Sequence, residues 1–318
     1  MASPAVGVSI QALSAREFVE QVQRAEQAGI PVAWSTVGGA GGADVPTTMA
    51  AAITATRTIR LGTAIVPTWP RHAITMAQQA LALEQLGPGR FRLGIGPSHE
   101  PAMVRGYGVR WETPLTQLRE YLTAIRSLFA TGAVDFEGRH VTARTQWRGP
   151  AAVDLLASAL RPKSFELCGA LADGAISWMC PRAYLITEAL PAIARGAARA
   201  RREPPPLIAH VPVAVNTDRP AVRALARQHL GNYAQIPFYA AMFRDAGFPD
   251  VAGGYSDALL DDLVVSGTED QVVERLAGYV RAGCREVLAA PLIERDDHEG
   301  SIARAFRAIA LAHRTVAS

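Results

Sequence analysis

Eight short apolar runs, nearly all followed by a helical pattern, limit this chain's fold more than any other feature. They are PAVGVSI (Pro4–Ile10), PVAWST (31–36), IRLGTAIV (59–66), FRLGIG (91–96), AVDLLASA (152–159), GAISWM (174–179), PLIAHVPVAV (206–215) and REVLAAPL (285–292). Several are apolar at consecutive positions, as strands of a parallel sheet covered on both faces are. An α/β alternation of this length fits a (β/α)8 TIM barrel or a large doubly wound sheet, and the strand count favours the barrel. The helical stretches carry their own boundary signals. Ser14 precedes a stretch with Phe18, Val22, Ala25 and Ala28 at helical spacing, closed by Gly29; Asp44 and Pro46 open the next. Residues 231–262, through FYAAMFRDAG, read as a helical excursion before the eighth strand, and DFEGRHVTA as a turn or small hairpin outside the pattern. No linker divides the 318 residues, so one barrel domain with insertions is expected over residues 1–318.

Composition narrows the function classes. A hydrophobic content of 49% supplies a large core, and 19% charged residues argues against disorder. The isoelectric point near 8.9 would suit nucleic acid. Yet the cations are almost all arginines spread along predicted helices, and the one dense run, RGAARARR (195–202), closes a helix where cations oppose the negative dipole end. No basic-aromatic pattern accompanies it, so no nucleic-acid partner is expected. No segment approaches the ~20 apolar residues of a membrane span, so no membrane partner is expected either. Cys168, Cys180 and Cys284 show no metal spacing, His, Asp and Glu do not cluster at ligand spacing, and no metal site is expected. Unframed cysteines in odd number suit a reducing compartment, and the start lacks a basic n-region and an apolar run; the expectation is a cytoplasmic protein.

In a barrel the site lies at the C-terminal strand ends, here Trp34–Thr36, Ala64–Trp69, Gly96–Glu100, Ala157–Arg161 and Ser177–Met179. The fourth strand end, GRFRLGIGPSH (89–99), tests one alternative. Gly94 and Gly96 begin a dinucleotide-type turn, but Pro97 follows, His99 stands where a third glycine belongs, and no helix starts at once. The turn reads instead as the end of a barrel strand that presents Ser98, His99 and Glu100 at the mouth. A Gly-x-Ser-x-Gly elbow is absent as well.

Five blocks in order carry a family resemblance: RLGTAIVPTWPRH (60–72), LEQLGPGRFRLGIGPSHEPAM (83–103), YGVRWETPLTQLREYLTAIRSLF (107–129), LLASALRPKSFELCGALADGAISWM (155–179) and SGTEDQVVERLAGYVRAGCREVL (266–288). Together they resemble the bacterial luciferase-like monooxygenase and reductase superfamily, most of all its coenzyme F420-dependent branch. The resemblance implies a deazaflavin, coenzyme F420, or alternatively FMN, held across the barrel mouth. It implies hydride transfer between the deazaflavin and a small organic substrate (C=C, C=N, C=O or alcohol). An FMN-dependent two-component monooxygenase is the alternative, and a non-catalytic flavin-binding barrel the third reading. A homo-oligomer, and a flavin or F420 reductase that supplies reduced cofactor, are the protein partners the resemblance brings into view.

Site residues follow from the same resemblance. A non-proline cis peptide backing the central ring falls on Ala64–Ile65. The phosphate-binding turn falls on Ala157, Ser158, Ala159, Leu160 and Arg161, ahead of a helix whose N–H groups would face the phosphate. Arg161 departs from the family's usual glycine; its guanidinium would either pair with the phosphate or obstruct the cradle. Lys163 is a second nearby cation. Gly96 and Ser98 lie beside the ring. His99 is a general-acid candidate or a loop histidine bonded to backbone carbonyls, with Glu100 beside it. His72 acts directly or caps the next helix, and Arg71 would meet the anionic tail. Trp34 and Trp178 wall the pocket or pack the core. Thr36 and Ser177 are short donors for a ring carbonyl, and the glycine-rich stretch 34–47 is a lid or a binding loop.

Overall fold

A computed structural model describes residues 3–36 and 41–317, so residues 37–40 of the glycine-rich stretch lie outside it. Eight parallel strands form the ring: β1 (Ala5–Ile10), β2 (Val32–Ser35), β3 (Arg60–Thr63), β4 (Phe91–Gly96), β5 (Asp154–Ser158), β6 (Gly174–Trp178), β7 (Leu207–Ala214) and β8 (Glu286–Pro291). Each pairs with its neighbours in chain order, and the ring closes where β8 pairs with β1 from Ala5↔Glu286 to Val8↔Ala289. β3 is interrupted at Ala64–Ile65, whose peptide bond is cis, and resumes at Val66–Pro67 beside β4. The fold is an α/β TIM-type barrel with insertions.

Strand alternation sorts the core into two compartments. Outward residues such as Val8, Leu61, Leu93 and Val287 join the helices in one apolar layer. Inward residues Val32, Trp34, Leu156, Ile176, Ile208 and Leu288 fill the ring. Trp34 fits only because its neighbour across the ladder is Gly62, where a Cβ would collide with the indole. Below it, Arg92 binds Glu286 at 2.6 Å and sits 4.9 Å over the indole ring, while Trp34 Nε1 donates to Glu286 Oε1 at 2.9 Å. These contacts compensate for taking two charges out of water.

The outer helices start where their caps predict. Ser14 Oγ accepts from Glu17 N at 3.2 Å, and Asp44 Oδ2 from Thr47 N at 3.1 Å, with Pro46 in the first turn. DFEGRHVTA is indeed part of an antiparallel hairpin, Ala133–Glu137 with Thr142–Gln146. The excursion before β8 contains the helices Pro237–Asp245 and Asp257–Leu263. One expectation needs correction. The connection after β4 is not without a helix: Glu100–Tyr107 is helical, with His99 at its N-cap and Pro101 in its first turn, where proline's missing N–H costs nothing.

Candidate active site

A cavity of about 1080 Å³ opens at the C-terminal end of the ring. Its apolar shelf consists of Ala64, Ile65, Pro67 and Ile176, and Ser9, Ser158, Trp178 and His210 bring polar groups to the same space. The loop after β4 contributes Ser98, His99 and Glu100; that after β5 contributes Ala159, Leu160 and Arg161; Thr36 completes the group from β2. Eleven of the expected site residues thus meet in one cavity.

Four do not. Trp34 is a packing residue of the ring interior, fully buried and bonded to Glu286, because strand period puts it inward but one level too low to reach the mouth. His72 caps the helix Ala73–Leu86: Nδ1 accepts from Ile74 N at 3.2 Å and Nε2 reaches Thr142 O of the hairpin at 2.8 Å. Both nitrogens are spent on structure. Gly96 makes room, since a Cβ there would strike Ser158 Oγ. Ala157 is completely buried and faces the helix layer, where its carbonyl meets Cys168 Sγ at 3.6 Å. Arg71 is likewise occupied, paired with Asp44.

Arg161 lines the cavity and has a partner within the protein. Its guanidinium turns to Asp245 of the excursion at 2.7 Å. The backbone of its turn is tied down by Ser164, whose Oγ accepts from Leu160 N and Arg161 N at 3.0 and 3.1 Å. Lys163 and Arg295 line the same cavity and are exposed.

Aromatic rings form a continuous wall. The His99 imidazole lies 5.2 Å from Tyr233, 5.8 Å from Tyr239 and 5.9 Å from Phe238, centroid to centroid. Burial among them pushes its pKa down, favouring the neutral form. Tyr233 in turn lies 6.2 Å from Trp178, and Trp178 4.2 Å from His210. Burial drives the His210 pKa down to about 3. Tyr233, Phe238, Tyr239 and His210 escaped the sequence reading. A signal for His210 was present: it is the one ionisable residue in PLIAHVPVAV, two positions from inward-facing Ile208. Among the described residues no group of three or more His, Cys, Asp or Glu is placed to hold a metal, and no helix is long and apolar enough to cross a membrane.

A closed parallel barrel with a deep, ring-lined cavity at its C-terminal mouth defines a class of small-molecule-binding α/β barrel. The family is specific. The model of the luciferase-like monooxygenase family matches residues 1–286, and the chain belongs to that family. It thereby falls among the flavin- and deazaflavin-binding oxidoreductases and monooxygenases. It is 26% identical to a 5,10-methylenetetrahydromethanopterin reductase of Methanolobus tindarius, over 83% of this chain and 87% of that one. It is 30% identical to an F420-dependent glucose-6-phosphate dehydrogenase of Beutenbergia cavernae, over 86% and 87%. In fold it is similar to an F420-dependent secondary alcohol dehydrogenase solved with an F420-acetone adduct, with a TM-score of 0.81 at 19% identity, over 98% and 99% of the two chains.

Proposed function

We propose that this protein is a coenzyme F420-dependent oxidoreductase that exchanges a hydride with a small organic substrate. The observation that carries the reading is the size and lining of the mouth cavity: about 1080 Å³, with apolar lining at Ala64–Ile65, Pro67 and Ile176. That space suits a tricyclic ring and a small substrate together. The residues present fit such a group in two further respects. Ser9 and His210 line the cavity, and their Oγ and Nε2 are buried without hydrogen-bond partners. Lys163, at the start of the helix Pro162–Leu171, adds positive charge where an anionic tail would end. The relative named as an F420-dependent glucose-6-phosphate dehydrogenase, matched over 86% of this chain, supports the same reading.

When bound, the deazaflavin supplies the hydride-carrying carbon. The protein's part is positional. Ala64, Ile65 and Ile176 would give a bound ring apolar contact, and Ser158 would offer it a hydroxyl. Tyr233, Phe238 and Tyr239 exclude water. His99, held neutral by burial, accepts the proton of an alcohol as it is oxidised, and its protonated form returns that proton when the substrate is reduced. Glu100, exposed beside it, communicates with solvent.

A parallel fluorescence titration of the purified protein with coenzyme F420 and with FMN tests the reading. Saturable binding of F420 with weak or absent FMN binding is the expected result. Preference for FMN would overturn it in favour of an FMN-dependent monooxygenase, a reading that the family's monooxygenase members keep in view.

A further inference from the structure

His210 stands on β7 one inward step beyond Ile208, at the point where the apolar filling of the ring gives way to the cavity. Its side chain is buried, and Nε2 has no hydrogen-bond partner. A buried polar nitrogen is rarely left so, because it has given up water and gained nothing. On the neighbouring strand β6, Ser177 is engaged elsewhere. Its Oγ donates to Ile208 O at 3.4 Å. His210 lines the cavity beside Trp178, 4.2 Å away, which adjoins Tyr233, and the rings of Tyr233 and Tyr239 are themselves 4.9 Å apart.

We infer that His210 is the polar anchor of the substrate chamber: it holds the one oxygen of an otherwise apolar, ring-shaped alcohol or ketone whose body lies against Trp178, Tyr233 and Tyr239. This rests on the reading of the cavity as the site of an oxidoreductase. The chemistry follows from the side chain. A neutral imidazole nitrogen accepts from an alcohol in one tautomer and donates to a carbonyl in the other, so both partners of a hydride exchange find a hydrogen bond there. Aromatic walls recognise a ring face at little entropic cost, and one buried hydrogen bond fixes which edge points inward. His210 is a binding and positioning residue in this scheme, distinct from His99.

The test uses the full chain without cofactor, labelled with ¹⁵N-histidine, and the matched probes benzyl alcohol and toluene, which differ by one hydroxyl. Seven histidines give a readable spectrum. Benzyl alcohol is expected to shift the side-chain nitrogen signals that vanish in His210→Phe, and toluene to shift them far less. Affinity for benzyl alcohol should fall about tenfold in His210→Phe while that for toluene changes less than twofold, and His210→Gln should recover part of the loss. Equal losses for both probes, or unchanged affinity for the alcohol, would overturn the assignment. Should His210→Phe fail to fold, the wild-type spectrum decides: no histidine signal moved by benzyl alcohol up to its solubility limit refutes the proposal. A titration of the same sample with F420 separates the two readings. F420 binding without the His210 response sinks the anchor alone; the response without F420 binding sinks the cofactor assignment.

Discussion

Asp245 meets Arg161 at 2.7 Å, joining the excursion that covers the mouth to the turn after β5. An arginine that would otherwise offer a full positive charge to the cavity is thereby neutralised and turned aside. Both side chains are partly open to solvent, so the pair contributes little to stability, up to about 1 kcal/mol. Its effect is on the field inside the mouth. Asp245→Asn should free that charge and tighten F420 binding about two- to fivefold at low salt, the gain shrinking as ionic strength rises. Fluorescence titrations at two salt concentrations check it; weaker binding in the variant would count against an anionic ligand at this turn.

Glu286 neutralises a buried arginine inside the ring. Glu286→Gln leaves Arg92 facing only Asp154, at 3.5 Å and well exposed, and removes the charge opposite the indole of Trp34. A loss of about 3 kcal/mol is expected in urea denaturation. Cofactor affinity should stay within twofold, because none of the three groups lines the cavity.

His72→Ala should cost about 1 kcal/mol, the usual worth of a helix cap, with His72→Asn recovering most of it. F420 binding should not change. A large fall in affinity with stability intact would return His72 to the site.

Burial alone would raise the Glu26 carboxyl, but the N–H groups of Ile59, Thr58 and Arg57 and the Thr58 hydroxyl outweigh it and bring the pKa to about 2. The folded value lies below the unfolded one, so the carboxylate stabilises the fold above the usual carboxyl range and that contribution disappears as pH falls toward 2. Allowing for its partial exposure, Glu26→Gln should cost about 1–2 kcal/mol at pH 7. Thermal melts from pH 7 to pH 3 should show the two proteins converging; a constant gap would show that the hydrogen bonds do not depend on the charge.

His210 works in the opposite sense to a salt-bridged histidine. Its folded pKa of about 3 lies below the unfolded value, so the unfolded chain takes up a proton that the folded one refuses. Stability should therefore fall as pH drops from about 6.5, by up to ~1.4 kcal/mol per pH unit. His210→Phe should flatten that slope, as read from urea midpoints between pH 7 and 5. An unchanged slope would place the imidazole in contact with water.

The barrel was legible because its signal is local: buried parallel strands are apolar at successive residues, and caps such as Ser14 and Asp44 mark the helices between them. The loops after β4 and β5 were legible through family blocks of ordered residues. Trp34 was misplaced because its level in the ring depends on Gly62 across the ladder, which no single segment reveals. His72 could not be resolved for a similar reason, since its second partner, Thr142, lies seventy residues away. The aromatic wall was missed because Tyr233, Phe238 and Tyr239 sit in a segment without strand register, and only the closed tertiary structure brings them over His99.

That arrangement divides the labour along the chain. Ile176 of the shelf and the deep residues Ser9 and His210 belong to strands whose pairing holds the ring closed, so a change there disturbs the ladder. The three covering rings come from a stretch of seven residues outside the ring strands. The roof can therefore drift in sequence while the hearth stays fixed, and chains sharing this floor are free to diverge in what they admit.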